Sequence, residues 1–454
     1  KKEVLLLDIP TGEESSLHYD VLVLATGSTV VRPGIPGIDL KGVYTLYRIE
    51  DAEAIRAELS KGHVKDICII GGGLIGIETS ESLVSRGARV TILEKDRHIL
   101  RQFDPDIAAQ IARELEKKGV KVVTQVDILK IHKEKDQLLI VSNNGAYRCD
   151  FILLSVGVKP NTSLAVEAGL KTGKQGGIRV NEYLCTEDPA IYAAGDCVES
   201  LNPLSEDDGY PPLGSVSTKM GRIVADNICG REKRFAGNIG TTFFKLFDQN
   251  CGRTGLTFDE ARKNYPEIET IVISALDRAH YYKDVKPIVL KLIADRRTGV
   301  VLGAQGYGKG DIIKRLEILA CAISAGMTLE RVFNLDLGYY PAYNNPIDIV
   351  HTACIVMQSK MEGMVRTITL PAFLRERDQV NLLDVSPPAE FVYRNIPGSV
   401  NLPLENIRTG EVPFDRKSRI VLYSKTSARA YEAYRYLITR GYTDMRVLEG
   451  GYIF

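Results

Sequence analysis

The sequence predicts an α/β protein of several domains, and three observations carry that prediction. A complete strand–turn–helix–strand pattern runs from Ile67 to Glu94 around a glycine-rich turn. A second Gly-rich junction, Ile191–Asp196 (IYAAGD), closes another apolar strand, so two nucleotide-type turns imply two related halves. From about Gly240 to Lys360, strand-like runs precede a helix, which reads as an α+β unit rather than a wound sheet. The length of 454 residues accommodates about three or four domains.

The elements follow in order. Tyr19–Ala25 (YDVLVLA) reads as a strand closed by Thr26-Gly27-Ser28. The Pro/Gly stretch Arg32–Gly37 reads as a crossing between domains. A helix is predicted over Ile49–Leu59. Then come the strand Ile67–Ile70, the turn Gly71–Gly76, a helix over Leu74–Arg86 and the strand Arg89–Glu94. Asp104-Pro105 caps a helix to about Lys118, with Ile107, Ile111 and Leu115 on one face. Strands are predicted at Val120–Val123, Leu138–Ser142 and Phe151–Val156. The α+β region contributes Thr241–Phe247, Thr270–Ser274, Ile288–Ile293 and Val300–Gln305, then a helix at Asp311–Ala325. A polar stretch at Arg375–Asn381 marks a last boundary, and short strands and helices alternate beyond it.

Composition excludes several classes. Lys+Arg 58 balances Asp+Glu 58, so no global field favours nucleic acid or an anionic membrane. No apolar run reaches the roughly 18 residues of a membrane span. The N-terminal apolar run is short and followed by acids, unlike a signal peptide. Eight Cys are scattered without a C-x-x-C or metal-ligand spacing. They read as isolated thiols in a reducing cytoplasm, with no metal site.

The segment Ile69–Glu78 contains G-x-G-x-x-G between strand and helix. Gly71 permits the tight turn, Gly73 lets a pyrophosphate approach the backbone, and Gly76 lets helix pack on strand. The helix N-terminus turns its positive dipole end to the phosphates. Glu94, at the end of the second strand, sits where an acid binds ribose hydroxyls. A carboxylate there repels a 2′-phosphate, so NADH is favoured over NADPH, although Lys95 and Arg97 nearby keep NADPH open.

At these residues the sequence resembles the pyridine nucleotide–disulfide oxidoreductases, over about its first 240 residues. The resemblance rests on Tyr19-Asp20 with Ala25-Thr26-Gly27, the Gly71–Glu78 turn, Gly157–Asn161 (GVKPN), and Thr186 followed by Ile191–Asp196. It implies two Rossmann-like domains, with an FAD domain split by an inserted NAD domain. It implies that Asp196 contacts the FAD ribityl chain, that Gly27 and Gly195 approach the cofactor, and that Thr26, Gly157 and Glu78 belong to the cofactor sites. The helix beginning near Val216 then points its N-terminus at the flavin, where its dipole stabilises negative charge.

The block Gly303–Ala322, with Met327–Leu329 and Asp336–Tyr343, resembles the dimerisation domain of the coenzyme A disulfide reductase, NADH oxidase and persulfide reductase branch. Tyr281 and Tyr339 match two tyrosines that, in coenzyme A disulfide reductases, line the partner subunit's active site. Either could donate a proton to a leaving thiolate; aromatic packing at a homodimer interface is the alternative. The His-Pro pair of the glutathione reductase pattern is absent, because His351 is followed by Thr352. The last segment resembles a rhodanese domain, through Leu383–Val385, Glu390-Phe391, Ile396–Pro403 and Val447–Tyr452. The implied domains are FAD-binding 1–42 (partial), NAD-binding 43–160, FAD-binding continued 161–238, dimerisation 239–365, and rhodanese-like 366–454.

Two departures from these families stand out. Ser424 occupies the position of the rhodanese cysteine, and Ser427 that of a usual glycine. A serine cannot carry a sulfane sulfur, so no sulfurtransferase turnover is expected; Arg429 could leave an anion-binding loop. The family's first G-x-G-x-x-G and redox cysteine do not occur in the chain. Either the sequence is part of a longer protein, or it is a short chain lacking the FAD pyrophosphate loop. The implied function is an FAD-dependent NAD(P)H oxidoreductase acting on a small-molecule disulfide or persulfide, with coenzyme A as a candidate ligand. The alternatives are an NADH oxidase using O2, and a catalytically silent nucleotide-binding or sulfur-carrier docking protein.

Overall fold

The computed structural model describes residues 2–205, 209 and 212–452. It divides into two compact units, one of residues 1–64 and 128–240, the other of residues 65–127 and 241–454.

In the first unit, Leu22–Leu24 pairs in parallel with Ile191–Ala193. Ser28–Val30 pairs antiparallel with Val158–Pro160, and Val43–Thr45 lies parallel to Phe151–Leu154. Ile128–Glu134, Gln137–Ser142 and Gly145–Cys149 form a three-stranded antiparallel sheet. The helix Gly214–Ile228 buries Val216, Met220 and Val224 against Leu24, Ile191 and Ala193. The predicted strand Tyr19–Ala25 shortens to three residues, matching the three of its partner. A hairpin of Glu3–Leu7 and Glu14–His18 precedes it, which the sequence did not signal. Its second strand, ESSLH, is exposed throughout and carries no apolar alternation.

The second unit opens with the parallel strands Asp66–Ile70, Arg89–Leu93 and Lys121–Val123. Helices Leu74–Val84 and Pro105–Lys117 connect them. Ile107, Ile111 and Leu115 are buried, as their spacing predicts. Next comes a five-stranded antiparallel sheet, ordered Thr242–Leu246, Gln249–Gly255, Val301–Gly308, Pro287–Asp295, Ile268–Leu276. The strand Gln249–Gly255 (QNCGRTG) is nearly all buried, yet Thr254 is its one strand-forming residue. Its Gly252 has a packing reason: an added Cβ would meet the Phe243 ring at 2.4 Å and Leu316 at 2.9 Å. The helix Ile313–Ser324 therefore lies close on that strand.

The C-terminal domain is a five-stranded parallel sheet, ordered Thr367–Ile368, Met445–Leu448, Ile420–Tyr423, Asn381–Asp384, Val400–Asn401. The polar stretch 375–381 is not a boundary. It contains the end of the helix Leu370–Glu376 and a 3-10 turn, and the sheet's edge strand Thr367–Ile368 precedes it. Arg375 and Asp378 are exposed, Glu376 pairs with Arg446 at 2.8 Å, and Phe373 supplies the buried anchor.

A buried ion cluster ties this domain to the antiparallel sheet. Glu449 is 2% exposed and accepts from Val272 N (3.1 Å), Lys360 Nζ (3.0 Å) and Thr367 Oγ1 (2.6 Å). Lys360 also pairs with Glu269 at 2.9 Å, and Ser274 Oγ donates to Gly450 O at 2.6 Å. Burial opposes the Lys360 charge, but Glu449 and Glu269 outweigh it and hold the ammonium above the usual lysine range. Replacing Lys360 with Ala leaves the buried Glu449 without its cation, while Glu269 keeps only Arg296 at 3.4 Å. The expected loss is about 3–5 kcal/mol for the C-terminal domain. Urea unfolding of the intact chain measures it; an unchanged first transition contradicts the docking role.

Candidate functional site

In the first unit, two sequence-distant turns meet. Thr26 Oγ1 donates to Asn161 O (2.6 Å), Asn161 Nδ2 donates to Thr26 O (3.0 Å), and Asn161 N donates to Gly27 O (2.9 Å). Thr26 thus braces the Ala25-Thr26-Gly27 turn against the Gly157–Asn161 segment. Gly27, Gly157 and Gly195 all have positive φ, at 69°, 99° and 83°, a region that favours glycine.

Asp196 is fixed by two hydroxyls. Ser217 Oγ donates to its Oδ1 (2.9 Å) and Ser28 Oγ to its Oδ2 (3.3 Å). A cavity of about 500 Å³ opens here, with Gly27, Gly195, Asp196, Gly214 and Ser217 on its wall. The 15-residue helix Gly214–Ile228 starts at this cavity, two residues before the position the sequence gave. A wall of glycines, one carboxylate and a helix N-terminus suits a flat group carrying hydroxyls, which is the fit an FAD ring and ribityl chain require.

In the second unit, the turn follows the strand Asp66–Ile70, and Gly73 is the N-cap of Leu74–Val84. Gly71 has φ 103°, and Gly76 is buried in the first helical turn. Sequence reasoning missed the role of Gly72. Its N–H donates to Glu94 Oε2 at 2.6 Å, and an added Cβ would lie 2.7 Å from Ile99 Cγ2 and 3.0 Å from that same oxygen. Glu94 Oε1 accepts from Asp96 N at 2.8 Å. The acid predicted for ribose also holds the turn itself in place. The neighbouring Gly-Gly-Gly run contained that signal, unread. Glu78 lies on the same helix with its side chain exposed; desolvation, then Glu81, raises its carboxyl above the usual range. Lys95 pairs with Asp127 at 3.6 Å.

Tyr281 and Tyr339 come together in the antiparallel-sheet domain. Slight desolvation and a hydrogen bond with Tyr281 push the Tyr339 phenol up. Both rings are exposed, at 69% and 47%. In the C-terminal domain Ser424 is buried and donates its hydroxyl to the Thr426 carbonyl. Arg429 is paired with Glu390 at 2.8 Å, which neutralises the cation that an anion-binding loop needs.

A brace at Ala25–Gly27, a glycine turn capped by Glu94 and a hydroxyl-held Asp196 define a nucleotide-binding oxidoreductase. The chain belongs to the pyridine nucleotide-disulphide oxidoreductase family, which it matches over residues 1–221. It matches that family's dimerisation domain over 241–351 and a rhodanese-like domain over 370–453. It is 38% identical to a CoA-dependent NAD(P)H sulfur oxidoreductase of Pyrococcus abyssi, across 73% of this chain and 74% of that protein. It is 35% identical to an NADH oxidase of Methanocaldococcus jannaschii, across 75% of each. A solved NAD-dependent persulfide reductase from A. fulgidus superposes with TM-score 0.94 at 35% identity, covering 99% of this chain and 82% of that one. Membership implies FAD and a pyridine nucleotide as cofactors. Among the described residues no helix is long and apolar enough to cross a membrane.

Gly72→Ala is expected to displace Ile99 or Glu94, at about 1–3 kcal/mol for the overpacked turn. NADH affinity should fall at least about tenfold, since each 1.4 kcal/mol is a factor of ten. Equilibrium NADH binding reads this, and wild-type affinity contradicts the role given to Gly72.

Proposed function

We propose that the protein takes hydride from NADH, with NADPH as the alternative donor, and delivers electrons to coenzyme A disulfide, coenzyme A persulfide or polysulfide. The observation that carries this is the order of parts: two dinucleotide turns, a dimerisation domain bearing the Tyr281–Tyr339 pair, and a rhodanese-like domain. The same order spans 99% of the chain in the comparison with a persulfide reductase.

The residues divide the work as follows. Gly71, Gly73 and Gly76 admit the pyrophosphate of the pyridine nucleotide, and Glu94 orders the turn and accepts from ribose. Thr26, Gly27, Gly157, Gly195 and Asp196 hold FAD, which supplies hydride acceptance and electron transfer when bound. Tyr339, a phenol and so protonated at neutral pH, donates a proton to the leaving thiolate of a disulfide held by a homodimer partner. The acceptor thiol is assigned to none of the eight cysteines, which are all free. Burial pushes Cys251 up and Cys354 up to about 12, away from thiolate chemistry. Free thiols suit a reducing cytoplasm.

The NADH oxidase relative supports a second reading with O2 as acceptor. Coenzyme A disulfide-dependent NADH consumption without oxygen uptake supports the first reading; oxygen uptake unaffected by disulfide supports the second. Tyr339→Phe is expected to lower the disulfide-dependent kcat by about a hundredfold, the lower end for a lost proton donor, with NADH affinity unchanged. An unchanged kcat assigns the pair to interface packing.

The Ser424 geometry predicts no thiosulfate:cyanide turnover. Its hydroxyl is buried and already committed to a carbonyl. Measured turnover by the purified chain contradicts this.

A further inference from the structure

Within the second unit lies a cavity of about 1190 Å³ that shares no lining residue with the glycine turn. Its walls come from three segments far apart in sequence: the helix Pro105–Lys117 and its end, the antiparallel sheet, and the rhodanese-like domain. Six cationic side chains line it, Arg113, Lys117, Lys118, Lys309, Arg394 and Lys425, against two carboxylates, Glu114 and Glu390.

Some of these charges are committed. Lys117 pairs with Glu114 at 2.6 Å, and Asp248 pairs with Lys309 at 2.7 Å and Lys118 at 3.7 Å. Glu390 is taken by Arg429. Arg113 comes from the helix Pro105–Lys117 and Lys425 from the rhodanese-like domain, and among the described residues neither is paired with a carboxylate. Arg113 meets the Gln110 side chain at 3.4 Å. Arg394 stacks its guanidinium 5.5 Å above the Tyr452 ring. Tyr393, on the same wall, is 88% exposed.

Cations gathered around one concave site attract a ligand of several negative charges. Exposed tyrosine faces beside them suit a flat base. The volume exceeds that of a typical small-ligand pocket, about 300–1,000 Å³.

We propose that this cavity is a second nucleotide site, for a ligand of the nucleoside diphosphate class. Arg113, from the helix, and Lys425, from the rhodanese-like domain, take the phosphates, and Tyr393 covers the base. The inference does not rest on the thiol-acceptor reading.

The test is equilibrium binding of ADP to the full chain with its pyridine nucleotide site saturated by NADH. One further ADP per chain is expected, weakening as salt rises. Arg113→Glu and Lys425→Glu should each weaken it about tenfold or more, the scale of one lost charge-assisted hydrogen bond. Tyr393→Ala should weaken it without altering the salt dependence. NADH affinity and the thermal unfolding midpoint should stay at wild-type values in all three variants. The proposal is overturned if no ADP binds beyond the NADH-saturated site, or if binding is indifferent to both charge reversals.

Discussion

The pairing of Leu22–Leu24 with Ile191–Ala193 is the constraint from which the flavin-side site follows. The two strands are parallel, so both chains leave the sheet at the same edge. Ala25-Thr26-Gly27 and Gly195-Asp196 are thereby carried to one place although about 170 residues separate them. Ligands gather at the carboxyl ends of parallel strands, and both turns stand at that end. The helix Gly214–Ile228 packs on the same pair, so its N-terminus reaches that edge too.

Polar groups near these turns are satisfied by residues distant in sequence, and this is what makes the turns rigid. Asn161 reaches Thr26 and Gly27; Glu94 reaches Gly72. A preorganised turn loses little conformational freedom when a ligand arrives. The same logic operates on a larger scale at Glu449. A buried carboxylate must find partners, and it finds them on the antiparallel sheet, so the rhodanese-like domain is fixed there by ions rather than by apolar burial alone. Ser424 makes none of these contacts, its hydroxyl being bonded to the Thr426 carbonyl, so the docking does not depend on the residue at that position.

Much of this was legible in the sequence, and the exceptions have physical reasons. The helix Ile49–Leu59 and the βαβ segment were readable because apolar spacing, caps and glycines agree locally. The strand Gln249–Gly255 was hidden because Gly252 answers to the Phe243 ring on the neighbouring strand and to Leu316, 64 residues on, which no local pattern shows. The stretch 375–381 misled because exposed charges on a short helix look like a linker. At the site, Gly71, Gly73 and Gly76 carry a known spacing, whereas Gly72 is constrained by Ile99, which no motif contains. Arg429 read as a free cation because its partner Glu390 lies 39 residues away.

If these turns hold a pyridine nucleotide and FAD for electron delivery to a thiol-based acceptor, electrons must pass from NADH through the flavin to a disulfide. Anaerobic titration of the FAD-loaded protein with NADH tests it most directly. The account predicts that the flavin absorbance bleaches stoichiometrically, and returns on adding coenzyme A disulfide as free thiol appears. A flavin that stays oxidised under excess NADH, or stays reduced under excess disulfide, contradicts it.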